Sequence, residues 1–95
     1  MSEIITHAVK ALNEKLGDGF DGTAKFQIEG EGSIMLDENG VREGDEDAEV
    51  TMIASTDTFR GILDGSVNPT MAFMSGDLKI EGSMGAAMKL GSALS

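Results

Sequence analysis

The chain predicts an α+β fold on three observations. A helix-period segment opens it, period-two runs bunch in its middle, and further helix-period segments flank one remaining strand. In the opening segment Ile5, Ala8, Val9, Leu12 and Leu16 recur at i, i+3, i+4 and i+7 spacing and form one apolar stripe. Ser2 is placed to cap this helix, and Gly17 to stop it in the left-handed conformation that a missing Cβ permits. From Thr23 the period becomes two. Ala24, Phe26 and Ile28 alternate with Lys25, Gln27 and Glu29, the pattern of a half-buried strand. Gly30-Glu31-Gly32 makes a tight connection to a second strand, Ser33-Ile34-Met35-Leu36, and Asn39-Gly40 marks the turn after it.

Val41-Arg42-Glu43 has little to bury and is expected as a short edge strand. Ala48, Val50 and Met52 alternate with Glu49, Thr51 and Ile53 in a fourth. A helix then starts at Ser55 or Thr56, puts Phe59, Ile62 and Leu63 on one face, and ends at Gly65. Asn68-Pro69 opens a shorter helix, because asparagine suits the cap and proline lacks an N–H that the first turn could not use. That helix carries Met71, Ala72, Phe73 and Met74 and stops near Gly76. Leu78 and Ile80 alternate with Asp77, Lys79 and Glu81 in a fifth strand, and Ser83 caps a last helix bearing Met84, Ala87, Met88, Leu90 and Leu94. The expectation is one domain over residues 1–95. Its five-stranded, mostly antiparallel or mixed sheet is covered by helices on one face and wet on the other.

Composition removes several classes of function. Seven Lys and Arg against seventeen Asp and Glu give a formal charge of −10, which opposes binding to phosphate backbones and to anionic membranes. The chain has no cysteine, so thiolate metal sites, disulfides and cysteine nucleophiles are excluded. Met1-Ser2-Glu3 lacks the cationic start of a secretory signal, and a cytoplasmic location is expected.

Three motifs invite chemistry and are better explained without it. Gly17-Asp18-Gly19-Phe20-Asp21-Gly22 spells G-x-G-x-x-G, but a helix precedes it and a strand follows, the reverse of what a dinucleotide site needs. Its two aspartates would also repel a pyrophosphate. The stretch from Glu29 to Glu49 holds nine carboxylates, yet a calcium loop begun at Asp37 has Val41 at position 5 and one begun at Asp45 has Val50 where glycine belongs. His7 is the sole histidine and lies at the rim of the first apolar stripe, with no G-x-S-x-G elbow elsewhere. No catalytic residue, metal site or cofactor is expected.

Methionine is the unusual feature. Of seven, Met71, Met74, Met84 and Met88 fall in the last quarter of the chain beside Phe73, Leu78 and Ile80. Thioether side chains adapt to apolar ligands of varied shape, and they also fill gaps in ordinary cores. The residues themselves leave both readings open.

The stretch from Leu63 to Gly82 resembles the sterol carrier protein-2 (sterol-transfer) domain family. Gly65, Pro69, Ala72, Phe73, Gly76, Leu78, Ile80 and Gly82 carry the match in order. Residues 26–32 and 48–52 are similar to the family's first hairpin and central strand. The resemblance implies an apolar cavity between sheet and helices that shelters a lipid, and an activity of non-covalent binding and carrying. The expected ligand is a small hydrophobic molecule: a sterol-like lipid, a fatty acid or a fatty acyl chain. The lining it implies is Phe26, Ile34 and Leu36 from the sheet, and Phe59 and Leu63 from the middle helix. From the C-terminal part come Met71, Phe73, Met74, Leu78, Met84 and Met88. The seven cations are scattered (Lys10, Lys15, Lys25, Arg42, Arg60, Lys79, Lys89), so a neutral lipid or fatty acid ranks above a coenzyme A ester. The tail Gly91-Ser92-Ala93-Leu94-Ser95 is not a Ser-Lys-Leu address, which points to a stand-alone bacterial form. No nucleic acid and at most transient membrane contact are expected. The alternative is an accessory protein-interaction domain that keeps the fold and fills the cavity with side chains.

Overall fold

The computed structural model describes residues 3–16 and 19–94. Ser2 and Gly17, expected to cap and stop the first helix, lie outside the described residues, as does Asp18 of the glycine pattern. Helix α1 (Glu3–Leu16) buries Ile5, Ala8, Leu12 and Leu16, the stripe that the helical period predicts. The next strands are β1 (Ala24–Ile28), β2 (Gly32–Asp37), β3 (Gly40–Glu43) and β4 (Val50–Ala54). Helices α2 (Thr56–Asp64) and α3 (Pro69–Ser75), strand β5 (Leu78–Gly82) and helix α4 (Met84–Leu94) follow. The sheet order is β3-β2-β1-β4-β5, antiparallel except for the β1–β4 pair.

Pleating puts one residue in two on the helix side. Phe26 sits between Ile34 and Met52, and Ala24 between Leu36 and Val50, while Met52 pairs with Ile80 and Ala54 with Leu78. These residues form one core with Phe59 and Ile62 of α2 and Ala87, Leu90 and Leu94 of α4. Helix α1 lies over β2 and β3, α4 over β4 and β5, and α3 along β5.

The caps follow sequence chemistry. Ser55 Oγ accepts from the Thr58 amide at 3.2 Å, which selects Ser55 over Thr56 as the α2 cap. Asn68 Oδ1 accepts from the amides of Thr70 and Met71 at 2.8 and 3.2 Å, and Gly76 closes α3 at φ 89°. Ser83 Oγ takes the Ala86 amide at 3.2 Å at the start of α4.

Two expectations change. The fourth strand begins at Val50 rather than Ala48, and the second sheet face is not simply wet. Both follow from the parallel β1–β4 pair. Strand β3 runs in the same direction as β1, so the chain must return along the sheet before β4 can start. Residues 44–49 make that return across the face opposite the helices. There the Glu46 amide meets Met35 Sδ at 3.4 Å, and Lys25 Nζ bonds Asp45 at 2.8 Å. Met35 is thereby buried on the outer face, between Ile34 and Leu36 on the inner one.

Gly82 takes φ +97°, and a Cβ there would collide with the Glu49 carbonyl oxygen where this return path joins β4. Gly91 is different: it lies inside α4 with open space where its Cβ would be. Gly82→Ala should therefore lower stability by more than about 1 kcal/mol, and Gly91→Ala should raise it by roughly 0.5–1 kcal/mol. Urea midpoints moving in opposite directions would bear this out; a shift in the same direction would contradict it.

The same return path is held by charge. Arg42 bonds Asp37 Oδ2 at 2.8 Å and Glu46 at 3.5 Å, and the Asn39 amide donates to Asp37 Oδ1 at 2.9 Å. The Arg42 hydrogen bond, then the Asn39 amide, hold the Asp37 carboxyl below its ordinary 3.8. A carboxyl depressed in the folded state contributes stability that is present above its unfolded value and lost as pH falls through the folded one. Carboxyl NMR titration should place the Asp37 midpoint below 3.8, and Arg42→Gln should move it upward. An unmoved midpoint in the variant would refute the assigned cause.

Candidate functional site

Helices α3 and α4 form the walls of a groove over the β4–β5 edge of the sheet. Its volume is about 430 Å³, within the range of small-molecule sites. Met52, Leu78 and Ile80 make its floor. Pro69, Thr70, Phe73 and Met74 of α3 stand on one side. Met84, Ala87, Met88, Gly91 and Ser92 of α4 stand on the other. Among the described residues no charged side chain lines it.

Helical spacing explains this division. In α4, Ala87, Leu90 and Leu94 turn to the core, while Met84 and Met88, four residues apart, share the adjoining face. Gly91 and Ser92 continue that face one turn on with side chains too small to fill the space. Helix α3 is anchored by Pro69 and Ala72 alone among its buried residues, which leaves Phe73 and Met74 to border the groove. The groove is open at its mouth: Met74 is 75% exposed and Met88 71%. Met71, Phe73 and Met84 complete the set of large apolar side chains that the described residues leave exposed, and all five lie on these two helices.

A second groove, of about 490 Å³, runs between α1 and α2. Ile4, Ala8, Ala11, Phe59 and Leu63 line it together with Glu3, His7, Arg60 and Asp64. The size is comparable and the chemistry is not, because ionisable groups of both signs border an otherwise apolar trough. Asp64 there is held below its ordinary value, first by the Ser66 side chain and then by the Ser66 amide, 2.8 Å from Oδ1.

The residues expected to line a cavity are divided among these places. Phe73, Met74, Leu78, Met84 and Met88 border the α3–α4 groove, whereas Phe59 and Leu63 border the α1–α2 groove. Phe26, Ile34 and Leu36 lie in the packed core and border neither, because α1 packs over β2 and Phe59 of α2 rests on Phe26 of β1. The Phe26 ring rests against Phe59 with centroids 5.2 Å apart. Met71 points outward, 63% exposed, and borders neither groove. Sequence reasoning missed Met52, Ile80, Pro69, Thr70, Ala87, Gly91 and Ser92. The i, i+4, i+8 continuation of Met84 and Met88 to Ser92 is the signal that extends the α4 wall beyond the two methionines.

Among the described residues no polar or charged side chain is buried, and no three His, Asp or Glu converge as metal ligands would. The groove offers area, shape and flexible thioethers.

A mixed five-stranded sheet, helices on one face and an uncharged groove at one edge define the class: a small α+β domain with an apolar groove between two of its helices. The chain belongs to the SCP-2 sterol transfer family, whose profile matches residues 3–95. Hydroxysteroid dehydrogenase-like protein 2 of Homo sapiens is 42% identical over 91 residues, which is 95% of this chain and 21% of that protein. The chain thus spans about a fifth of the length of the curated relatives it matches. Among solved structures, sterol carrier protein-2 of Aedes aegypti in complex with palmitate superposes with a TM-score of 0.79 at 18% identity, covering 100% of this chain and 97% of that one. Palmitated SCP2L2 of Aedes aegypti gives 0.67 at 16%, covering 99% and 95%. At these identities the superpositions establish the fold.

Exposed and buried apolar residues should respond differently to truncation. Replacing both Met74 and Met88 by Ser should leave stability within about 0.5 kcal/mol, whereas Leu90→Ala in the core should cost roughly 2–5 kcal/mol. Equal losses in urea unfolding would mean that the two methionines are structural.

Proposed function

We propose that this chain binds the aliphatic part of a lipid, a fatty acid or similar chain, in the α3–α4 groove and carries it without making or breaking a covalent bond. The observation that carries this reading is the convergence of Phe73, Met74, Met84 and Met88 on a groove with no charged lining residue. Each methylene moved from water into such a groove contributes about 0.8 kcal/mol, so a long chain can be held by burial alone. Methionines suit the task because their unbranched side chains repack around chains of different length. Two Aedes aegypti proteins of this fold hold palmitate, which supports a ligand of that chemistry. The charge of −10 favours a neutral lipid or a fatty acid over a ligand that brings several phosphates. An interaction domain with a filled cavity is the weaker reading, since the α3–α4 groove, about 430 Å³ in volume, presents an uncharged and mostly apolar trough of a size that suits a lipid chain.

The role of the α4 wall is tested by Met88→Glu, which puts a charge at the groove mouth on an exposed helical position. Uptake of a fluorescent fatty acid should fall at least tenfold, roughly the cost of bringing an aliphatic chain against an uncompensated charge. The far-UV circular dichroism should not change. For the native chain, a ligand at 100 times its Kd should stabilise by roughly 2.7 kcal/mol in a thermal melt. Unaltered uptake by the variant would overturn the assigned site, and no thermal shift with any lipid class would overturn carriage.

A further inference from the structure

Met71 borders neither groove, yet it is 63% exposed on α3, three residues before Met74 and so on the adjoining part of that helix. Binding a lipid inside the α3–α4 groove gives it nothing to do. We infer that the outward side of α3 and α4 is a docking surface for a zwitterionic lipid bilayer, and that Met71 serves docking while Met74 and Met88 serve both docking and the groove. The inference rests on the lipid-carrying reading for its purpose, since cargo has to be exchanged with a lipid phase.

Three observations select this occupant. The first is charge. Residues 65–76 and 82–95 contain none of the seventeen Asp and Glu of the chain, and their one cation, Lys89, lies 3.3 Å from Asp21. Two helices without a carboxylate of their own are thus set on a chain of charge −10. A zwitterionic surface accepts these helices, and an anionic one repels the chain behind them across about a Debye length of 8 Å.

The second observation is composition. The exposed apolar side chains are four methionines and one phenylalanine, without the Trp, Tyr and Arg anchors that carry most protein–protein hot spots. Beyond the Lys89–Asp21 pair, α3 and α4 bear no charges that could fix a register against a folded partner. Adaptable thioethers tolerate a boundary of no fixed shape, as a fluid hydrocarbon surface is.

The third is geometry. The two helices pack against each other with the groove opening between them. Helices laid on a bilayer by their apolar sides would bring the groove mouth to the hydrocarbon without exposing cargo to water. With no basic residues in support beyond Lys89, the attachment is weak and reversible, as a carrier requires.

Met71→Glu separates docking from binding. Position 71 is the third residue after the Asn68 cap, where glutamate favours the helix start, so the variant keeps α3. The full chain is floated with phosphatidylcholine vesicles, with and without phosphatidylserine replacing about a third of the lipid. Fluorescent fatty-acid affinity is measured on the same samples.

The native chain should float with phosphatidylcholine, and phosphatidylserine should weaken flotation at low salt more than at high salt. Met71→Glu should lower flotation by about tenfold or more and leave fatty-acid affinity within about twofold. Met71→Phe, which keeps the position apolar, should float like the native chain. A native chain that binds fatty acid and does not float would overturn the docking surface. So would a Met71→Glu variant that floats normally, or one that merely turns a native dimer into monomers, which would assign the face to a second copy. Flotation that behaves as stated while fatty acid fails to bind would uphold docking and refute the lipid-carrying reading.

Discussion

The structure depends on a separation of charge from apolar surface along the chain. All seventeen carboxylates lie outside the segments that contain α3 and α4, and the two helices carry a single cation between them. The rest of the sheet is closed. Helix α1 covers β2 and β3, and α2 reaches β1 through the Phe26–Phe59 contact. The α3–α4 pair also packs on the sheet, but α3 is short, is anchored by Pro69 and Ala72, and follows the left-handed Gly65. A helix so lightly held cannot seal the edge above Met52, Leu78 and Ile80. The groove is the space that results.

This makes the methionines intelligible. In a closed core they would fill gaps, as Met35 does beneath the return path on the outer face. On α3 and α4 five large apolar side chains, four of them methionines, stand in water at a cost set by their apolar area. A lipid in the groove, and a bilayer against the face beyond it, would remove much of that area from solvent. The acidic remainder of the chain, at a net charge of −10, repels anionic surfaces.

Much of the fold was legible because period and punctuation agreed. The stripe from Ile5 to Leu16, the alternation from Ala24 to Ile28, the Asn68-Pro69 start and the Ser83 cap each fixed an element by local chemistry. What could not be read was non-local. The parallel pairing of β1 with β4 forced residues 44–49 across the outer face, and nothing near Ala48 or Met35 announces it. The same gap limited the site. Phe26, Ile34, Leu36, Leu78 and Ile80 all alternate correctly, and only the order of strands tells which of them lie under α1 and which under the groove. The helical walls were more legible, since Phe73, Met74, Met84 and Met88 stand out by residue type. Their small neighbours Gly91 and Ser92, which leave the room, carry no such mark. Family resemblance supplied the expectation of an apolar site and not its position.

The central claim is that the space between α3 and α4 receives an aliphatic chain. Methionine methyl NMR tests it most directly, because methionines stand at the floor, at both walls and at a remote reference point. During titration with a C16 fatty acid, the account predicts that the methyl signals of Met52, Met74, Met84 and Met88 move together and saturate. Met35, on the far face of the sheet, should keep its position. Movement confined to Met35, or no movement at any of the four, would contradict the account.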